Sequence, residues 1–407
     1  MKINILQNSR IIKVSLLVAT VAFVISCNKE LPVATPIIYP PVNNSPTSIG
    51  AAISADTSYS FFKAAATKTG VLAALSDSTK LFTVFLPNND AFRVSGIPSI
   101  AALNTIPLQS LVPLIQYHII PGEQYLSANV PSTFPNIQLP TYLKIGTIPG
   151  TPLSLEMSAF PSIRTNGFWY NNIPVVAPDI KFSNGVVHLV AALVAPPSQV
   201  LKDAMYSNPN LTYFKAAIAR ADSGQVGLKR FDSLLNYPVT NMTVLAPSDL
   251  AFQTLLFGSI YGALLAQGVP QATAYDSAVS WSSTSEVFSN PALFGVLTAA
   301  KVQGILAYHL LATPNPLTGK FEPNIRAFSV NFPSTPAFYT TIVNTVVAVH
   351  PGIMAKATFT GPFVTNLQFT GLGTFPPGGA PYSGAAATAT SLDKHCVNGV
   401  YYIIDKA

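Results

Sequence analysis

Five histidines, two cysteines and sixteen carboxylates are the groups with which this 407-residue sequence could build acid–base, nucleophilic or metal chemistry. His118 and His309 stand out, because each directly follows a tyrosine, Tyr117 or Tyr308, at the end of an apolar run. An imidazole placed there could serve as a general base, given a nucleophile or carboxylate to work with. The sequence offers neither a Gly-x-Ser-x-Gly turn nor an acid at motif spacing. The other reading is an imidazole hydrogen-bonded across a core to fix a loop. His188 alternates with apolar neighbours on a strand and reads the same way. Metal chemistry would need His-x-x-His, His-Glu-x-x-His, paired cysteines or an Asp-x-Asp-x-Asp-Gly loop, and the sequence contains none of them. The glycine-rich run from Gly371 to Gly379 lacks Gly-x-Gly-x-x-Gly and reads as a loop. No catalytic residue, metal site or cofactor is therefore expected, and the chain reads as non-enzymatic.

Composition narrows the partners. Only 9% of residues are charged, against roughly 25% in typical soluble proteins, so the surface must be covered by Ser, Thr, Asn, Gln and Pro. The 35 prolines disfavour long helices and favour turns and edge strands. The formal charge is +6, but Lys2, Arg10 and Lys13 belong to an amino-terminal segment read as removable, and no Lys/Arg run exists. Nucleic acid is not an expected partner.

The elements that would position these groups are organised around Thr83–Phe92, TVFLPNNDAF. Thr83 to Leu86 read as a short buried strand, Pro87 stops it, Asn88 can cap the helix that follows, and Ala91-Phe92 give that helix an apolar face. The same corner returns at Thr243–Phe252, TVLAPSDLAF, with Pro247 in register and Ser248 in place of Asn88. Leu108, Leu111, Val112 and Ile115 form a helical stripe running into Tyr117-His118; Val302, Ile305 and Leu306 do the same ahead of Tyr308-His309. Asn184-Gly185 opens the strand Val186–Val190, and Asn398-Gly399 opens Val400–Ile404. The chain is an internal repeat. Its second copy is longer by about 31 residues before Tyr-His and about 23 after it.

Ahead of the repeat, residues 1–26 read as a secretion signal, with Val14–Ile25 too short to span a membrane. Val24-Ile25-Ser26-Cys27 resembles a bacterial lipobox, which makes Cys27 the expected lipidation site. Residues 27–48 carry five prolines and read as an extended tether. Cys396 is then left unpaired, as a small core residue. The expected location is the cell envelope, lipid-anchored at an outer membrane or cell surface.

TVFLPNNDAF, QYHIIPG (116–122) and NGVVHLV (184–190), in that order, resemble the fasciclin domain family. TVLAPSDLAF, AYHLL (307–311) and NGVYYII (398–404) repeat the resemblance, departing at Tyr402, where the family's strand has a histidine. The resemblance implies an α+β fold of two tandem domains, 49–198 and 199–407, each a β-wedge of two sheets with helices packed at one side. It also implies adhesion, or binding of a cell-surface or matrix polysaccharide or protein. A component or enzyme of envelope polysaccharide processing is the alternative.

Three stretches are candidates for binding. Asp179-Ile180 lies where some fasciclin domains carry an adhesive Asp-Ile segment; otherwise it is a turn leading into a strand. Residues 257–298, with Tyr261, Tyr275 and Trp281 among small polar residues, could stack on sugar rings, form a protein interface or pack on themselves as a loop. The Phe- and Tyr-rich stretch 328–382 has the same character.

Overall fold

The computed structural model describes residues 46–372, 382 and 385–407. Cys27, the secretion signal and most of the tether lie outside the described residues, as does most of Gly371–Gly379.

The described residues form fourteen longer strands and two of two residues each. In the first copy they are β1 (Phe82–Pro87), β2 (Ile119–Pro121), β3 (Leu139–Thr147), β4 (Ser154–Ala159), β5 (Pro161–Arg164), β6 (Gly167–Tyr170), β7 (Ile173–Phe182) and β8 (Gly185–Val190). In the second they are β9 (Met242–Pro247), β10 (Thr313–Pro314), β11 (Phe321–Glu322), β12 (Ala337–Tyr339), β13 (Ile353–Thr360), β14 (Phe363–Thr370), β15 (Ala387–Cys396) and β16 (Gly399–Ile404). Each copy builds one six-stranded sheet, ordered β2-β1-β8-β7-β6-β5 and β12-β13-β14-β15-β16-β9, beside a two-stranded ribbon. The centre is the same in both. β1 lies parallel to β8 with Pro87 opposite Val190, and β9 lies parallel to β16 with Pro247 opposite Ile404. The sheets differ at their edges: β2 flanks β1, whereas the second copy has a single bridge, Val244 to Leu310, in that place and adds β12 at the far side.

The polar motif residues repeat bond for bond. Asn88 Oδ1 accepts the Ala91 N–H at the start of helix α1 (Asn89–Val94), and Ser248 Oγ accepts the Ala251 N–H at the start of α2 (Asp249–Ala266). Thr83 Oγ1 donates to Glu123 O and accepts the Tyr125 N–H; Thr243 Oγ1 donates to Ile325 O and accepts the Ala327 N–H. Asn184 Oδ1 accepts the Ile49 N–H while Nδ2 donates to Leu75 O, and Asn398 does the same with Leu201 N–H and Leu235 O. These buried amides tie the segment that opens each copy to the strand that closes it. Glycine must follow. Gly185 has φ +149°, and a Cβ there would sit 1.9 Å from Phe82 O; at Gly399 it would sit 2.4 Å from Leu201 Cδ1.

Helices cover one face of each sheet. Phe92 meets Phe61 edge-on and Phe252 meets Phe214 edge-on, all four buried beneath the helices. The first insertion belongs to this layer and is not a loop. Residues 257–298 continue α2, turn, and return as α3 (Gln271–Ser282) and two short 3-10 turns. Ile260, Ala278, Phe288, Leu293 and Leu297 are buried in the core of the second copy.

The two copies also share a core. Phe160 and Trp169 of the first are buried in one cluster with Leu245, Phe328, Phe332 and Tyr402 of the second.

Candidate functional site

Between the copies, above this shared core, lies a cleft of about 590 Å³. Its floor is a hydrogen-bonded seam. Asn136 Nδ2 donates to Arg326 O and Asn331 Oδ1, both at 2.8 Å, and Asn331 Nδ2 donates to Ser162 Oγ at 2.7 Å. Asn166 Nδ2 donates to Val330 O at 3.1 Å. Asn136 and Asn331 are buried, so each bond across the seam replaces one to water, and losing a partner would strand the other.

The first copy supplies one wall. Arg164 ends β5, and its guanidinium lies over the Phe134 ring, 4.7 Å from the centroid. Nη1 donates to Ile163 O at 2.7 Å and Pro131 O at 3.3 Å, and Nη2 donates to Asn136 Oδ1. A guanidinium carries five N–H donors, so Nε–H and one N–H on Nη2 are left without an acceptor among the described residues. The second copy supplies the facing wall: Phe332 and Ser334 ahead of β12, Tyr339 on β12 and Phe359 on β13. Tyr339 meets Phe134 edge-on at 5.5 Å and Phe332 at 5.1 Å. Burial pushes the Tyr339 phenol up to about 12, against an opposing effect of Arg164, so its hydroxyl stays protonated near neutral pH. Burial likewise draws the Arg164 pKa down, but a guanidinium starts so high that it stays a cation.

The described lining holds no carboxylate, imidazole or thiol. It offers three half-buried rings (Phe134, Tyr339, Phe359), one cation and a rim of hydroxyls and amides. Such a set can bind, and among the described lining residues its hydroxyls have no neighbouring imidazole or carboxylate to activate them. Among the described residues, no cluster of three or more His, Cys, Asp or Glu exists.

The residues singled out in the sequence fall elsewhere. His118 Nδ1 donates to Leu114 O at 2.8 Å and Nε2 accepts the Val194 N–H at 3.0 Å; burial lowers its pKa to about 4. His309 Nδ1 donates to Ile305 O at 2.7 Å, and burial lowers its pKa as well. Tyr117 donates to Ser158 O, and Tyr308 to Gly352 O. These groups hold loops. Asp179, expected in a turn leading into a strand, is a part-exposed bulge in β7 with φ +63°. Its carboxylate accepts the Ser127 N–H and hydroxyl, its own N–H goes to His188 Nδ1 at 3.1 Å, and Ile180 packs half-buried on the core. Asp393 repeats the bulge with φ +49° and the same two bonds from Ser329. Both aspartates are fold-makers. Tyr261 and Tyr275 pack with Phe257 across the α2–α3 hairpin, at 5.7 and 5.4 Å, and Trp281 lies half-buried against the core. None of the three reaches the cleft. Sequence reasoning missed Phe134, Arg164 and Asn166, none of which stands in a motif. The Phe- and Tyr-rich stretch 328–382 did carry the signal, since it supplies Phe332, Tyr339 and Phe359.

Several known proteins are similar to parts or the length of this chain. Residues 57–196 match the family model of the Fasciclin domain. Protein sll1483 of Synechocystis sp. is 27% identical over 135 residues, 33% of this chain, and the chain spans 65% of that relative's length. A second Synechocystis protein, the uncharacterized sll1735, is 27% identical over 110 residues, covering 27% of this chain and 68% of its own. Among solved structures, a FAS1 domain pair from the insect cell adhesion molecule Fasciclin I is similar over 85% of this chain and 94% of its own, at 14% identity and a TM-score of 0.30. Residues 57–196 are thus a fasciclin domain by family match, and the motif bonds of that domain return one for one in the second copy of the repeat.

Proposed function

We propose that this chain is a surface-tethered, non-enzymatic interaction protein that binds extracellular polysaccharide in the cleft between its two domains. Fasciclin domains are in general adhesion and interaction modules, which sets the class. The observation that carries the finer reading is the cleft itself: half-buried rings from both domains facing one another across a hydroxyl- and amide-rich rim. Aromatic faces stack on the apolar faces of sugar rings while hydroxyls and amides satisfy the sugar's polar edge. In the same proposal, residues 1–26 are a signal, Cys27 carries the lipid, and residues 27–48 hold domains 49–198 and 199–407 away from an envelope membrane.

Screening the purified chain against an array of polysaccharides and matrix proteins tests this. Retention on at least one polysaccharide is expected, weakened about tenfold by Tyr339→Ala. Retention only on proteins, or polysaccharide binding indifferent to Tyr339, would move the function away from the cleft.

A further inference from the structure

We propose, building on the polysaccharide reading, that the cleft selects sugars bearing a carboxylate, and that Arg164 is the residue that sets this selectivity. Arg164 is a charge without a counter-ion among the described residues. Four described cations form ion pairs, Lys80 with Asp77, Arg93 with Asp90, Lys202 with Asp232 and Arg230 with Asp222, and most of the others are lysines exposed to solvent. Arg164 has no carboxylate within ion-pair distance among the described residues, although it is half-buried at the mouth of a cleft. Its three internal acceptors are two carbonyls and one amide, all neutral. They hold the guanidinium in place without neutralising it. A cation so fixed has lost the freedom a ligand would otherwise have to freeze out, and it keeps two N–H donors for an incoming anion.

The surroundings say what kind of anion. A bare phosphate or sulfate would gain nothing from the rings of Tyr339 and Phe359, whereas a uronate residue has both an anionic edge and a ring face. The neutral Tyr339 hydroxyl and the side chains of Ser132, Thr165 and Ser334 can bond the remaining hydroxyls. An acidic peptide would satisfy Arg164 but would leave this rim less well matched.

The test compares a galacturonate trisaccharide with its carboxyl-reduced galactose counterpart by calorimetry on the intact chain. The acid is expected to bind at least about tenfold more tightly, with a preference that shrinks as salt rises. Arg164→Gln should bring the ratio of the two affinities close to one, Arg164→Lys should restore part of it, and Lys229→Gln, an exposed position outside the cleft, should leave it intact. Because Arg164 also anchors Asn136, melting curves would accompany each variant, and the wild-type comparison stands without any mutation. Equal binding of acid and neutral sugar would overturn the carboxylate selectivity while leaving the polysaccharide reading in place. Binding of neither would overturn the carboxylate selectivity, and the polysaccharide reading falls with it only if the array also retains no polysaccharide. Tighter binding of a poly-glutamate peptide than of the uronate would reassign the cleft to acidic protein.

Discussion

Tyr402 performs in the second domain the task that His188 performs in the first. His188 stands opposite Phe85 across the parallel strand pair, and Tyr402 stands opposite Leu245 at the same register. His188 Nε2 donates to Tyr125 O at 2.8 Å; the Tyr402 hydroxyl donates to Ala327 O at 2.7 Å. Tyr125 and Ala327 are themselves matched, since each gives its N–H to the threonine of its copy's corner. The departure from the family's histidine is thus a change of donor that preserves the bond. Phenylalanine at 402 would keep the ring and strand the buried carbonyl. Tyr402→Phe is expected to cost about 1–3 kcal/mol, seen as a lower denaturant midpoint at unchanged slope. No change in midpoint would mean the ring alone is what this position requires.

The histidines predict a pH dependence. His118 is neutral in the fold, with Nε2 occupied as an acceptor and a pKa lowered to about 4 from an ordinary 6.5. The unfolded chain therefore binds more protons between these values. The stability from His118 is fully present above about pH 6.5 and is lost as pH falls toward 4, on the order of 3 kcal/mol at the limit. His309 adds to the loss in the same direction. Melting temperature measured from pH 7.5 to 4.5 should fall, and less steeply in His118→Gln than in the wild type. A flat profile would show that the imidazole is solvated or charged in the fold.

Excising residues 258–298 should unfold the second domain. Ile260, Ala278 and Phe288 are buried there, and Tyr213 donates to Ser282 O at 2.8 Å. Even Phe288→Ala alone, at 3% exposure and edge-on to Phe252 at 6.0 Å, is expected to cost about 3–5 kcal/mol. A cooperative melt that survives the excision would return this segment to the status of a loop.

A fragment of residues 49–198 should be visibly incomplete. Without the second domain it exposes Phe160 and Trp169, and Asn136 loses its acceptors at Arg326 and Asn331. Trp169 is then the fragment's sole tryptophan, so its emission should shift to the red, with a melting temperature below that of the whole chain. Blue emission with an unchanged melt would show that each domain completes its own core.

What could be read from the sequence was whatever local chemistry dictates. Pro87 and Pro247 end strands, Asn88 and Ser248 cap helices, and Asn-Gly opens the closing strand, because each role needs a particular backbone or donor at one place. Those residues give the repeat and the family. The cleft was hidden because its residues become neighbours only when two sheets pack: Arg164 and Tyr339 are 175 positions apart, and neither stands in a motif. Asp179 misled for a related reason, since its left-handed bulge and its bond to Ser127 depend on a partner 52 residues away. Residues 257–298 misled because Gly, Ala and Ser there read as loop material, while the apolar residues among them, Ile260, Ala278 and Phe288, enter the core.

The parallel pairing at the centre of each sheet has a consequence for how the chain is made. β8 slots between β1 and β7, and β16 between β9 and β15, so the last strand of each domain occupies a middle place in its sheet. The partners it joins, β1 or β9, emerged roughly 100 and roughly 160 residues earlier, a long-range closure of the kind that slows folding. During synthesis, each half-built sheet therefore waits with its central edge unpaired until Asn-Gly and the strand behind it arrive. The first domain waits longest, since Phe160 and Trp169 stay uncovered until β16 is in place. A chain built this way closes late, and until its last strand arrives the open edge of each sheet can pair wrongly with another copy.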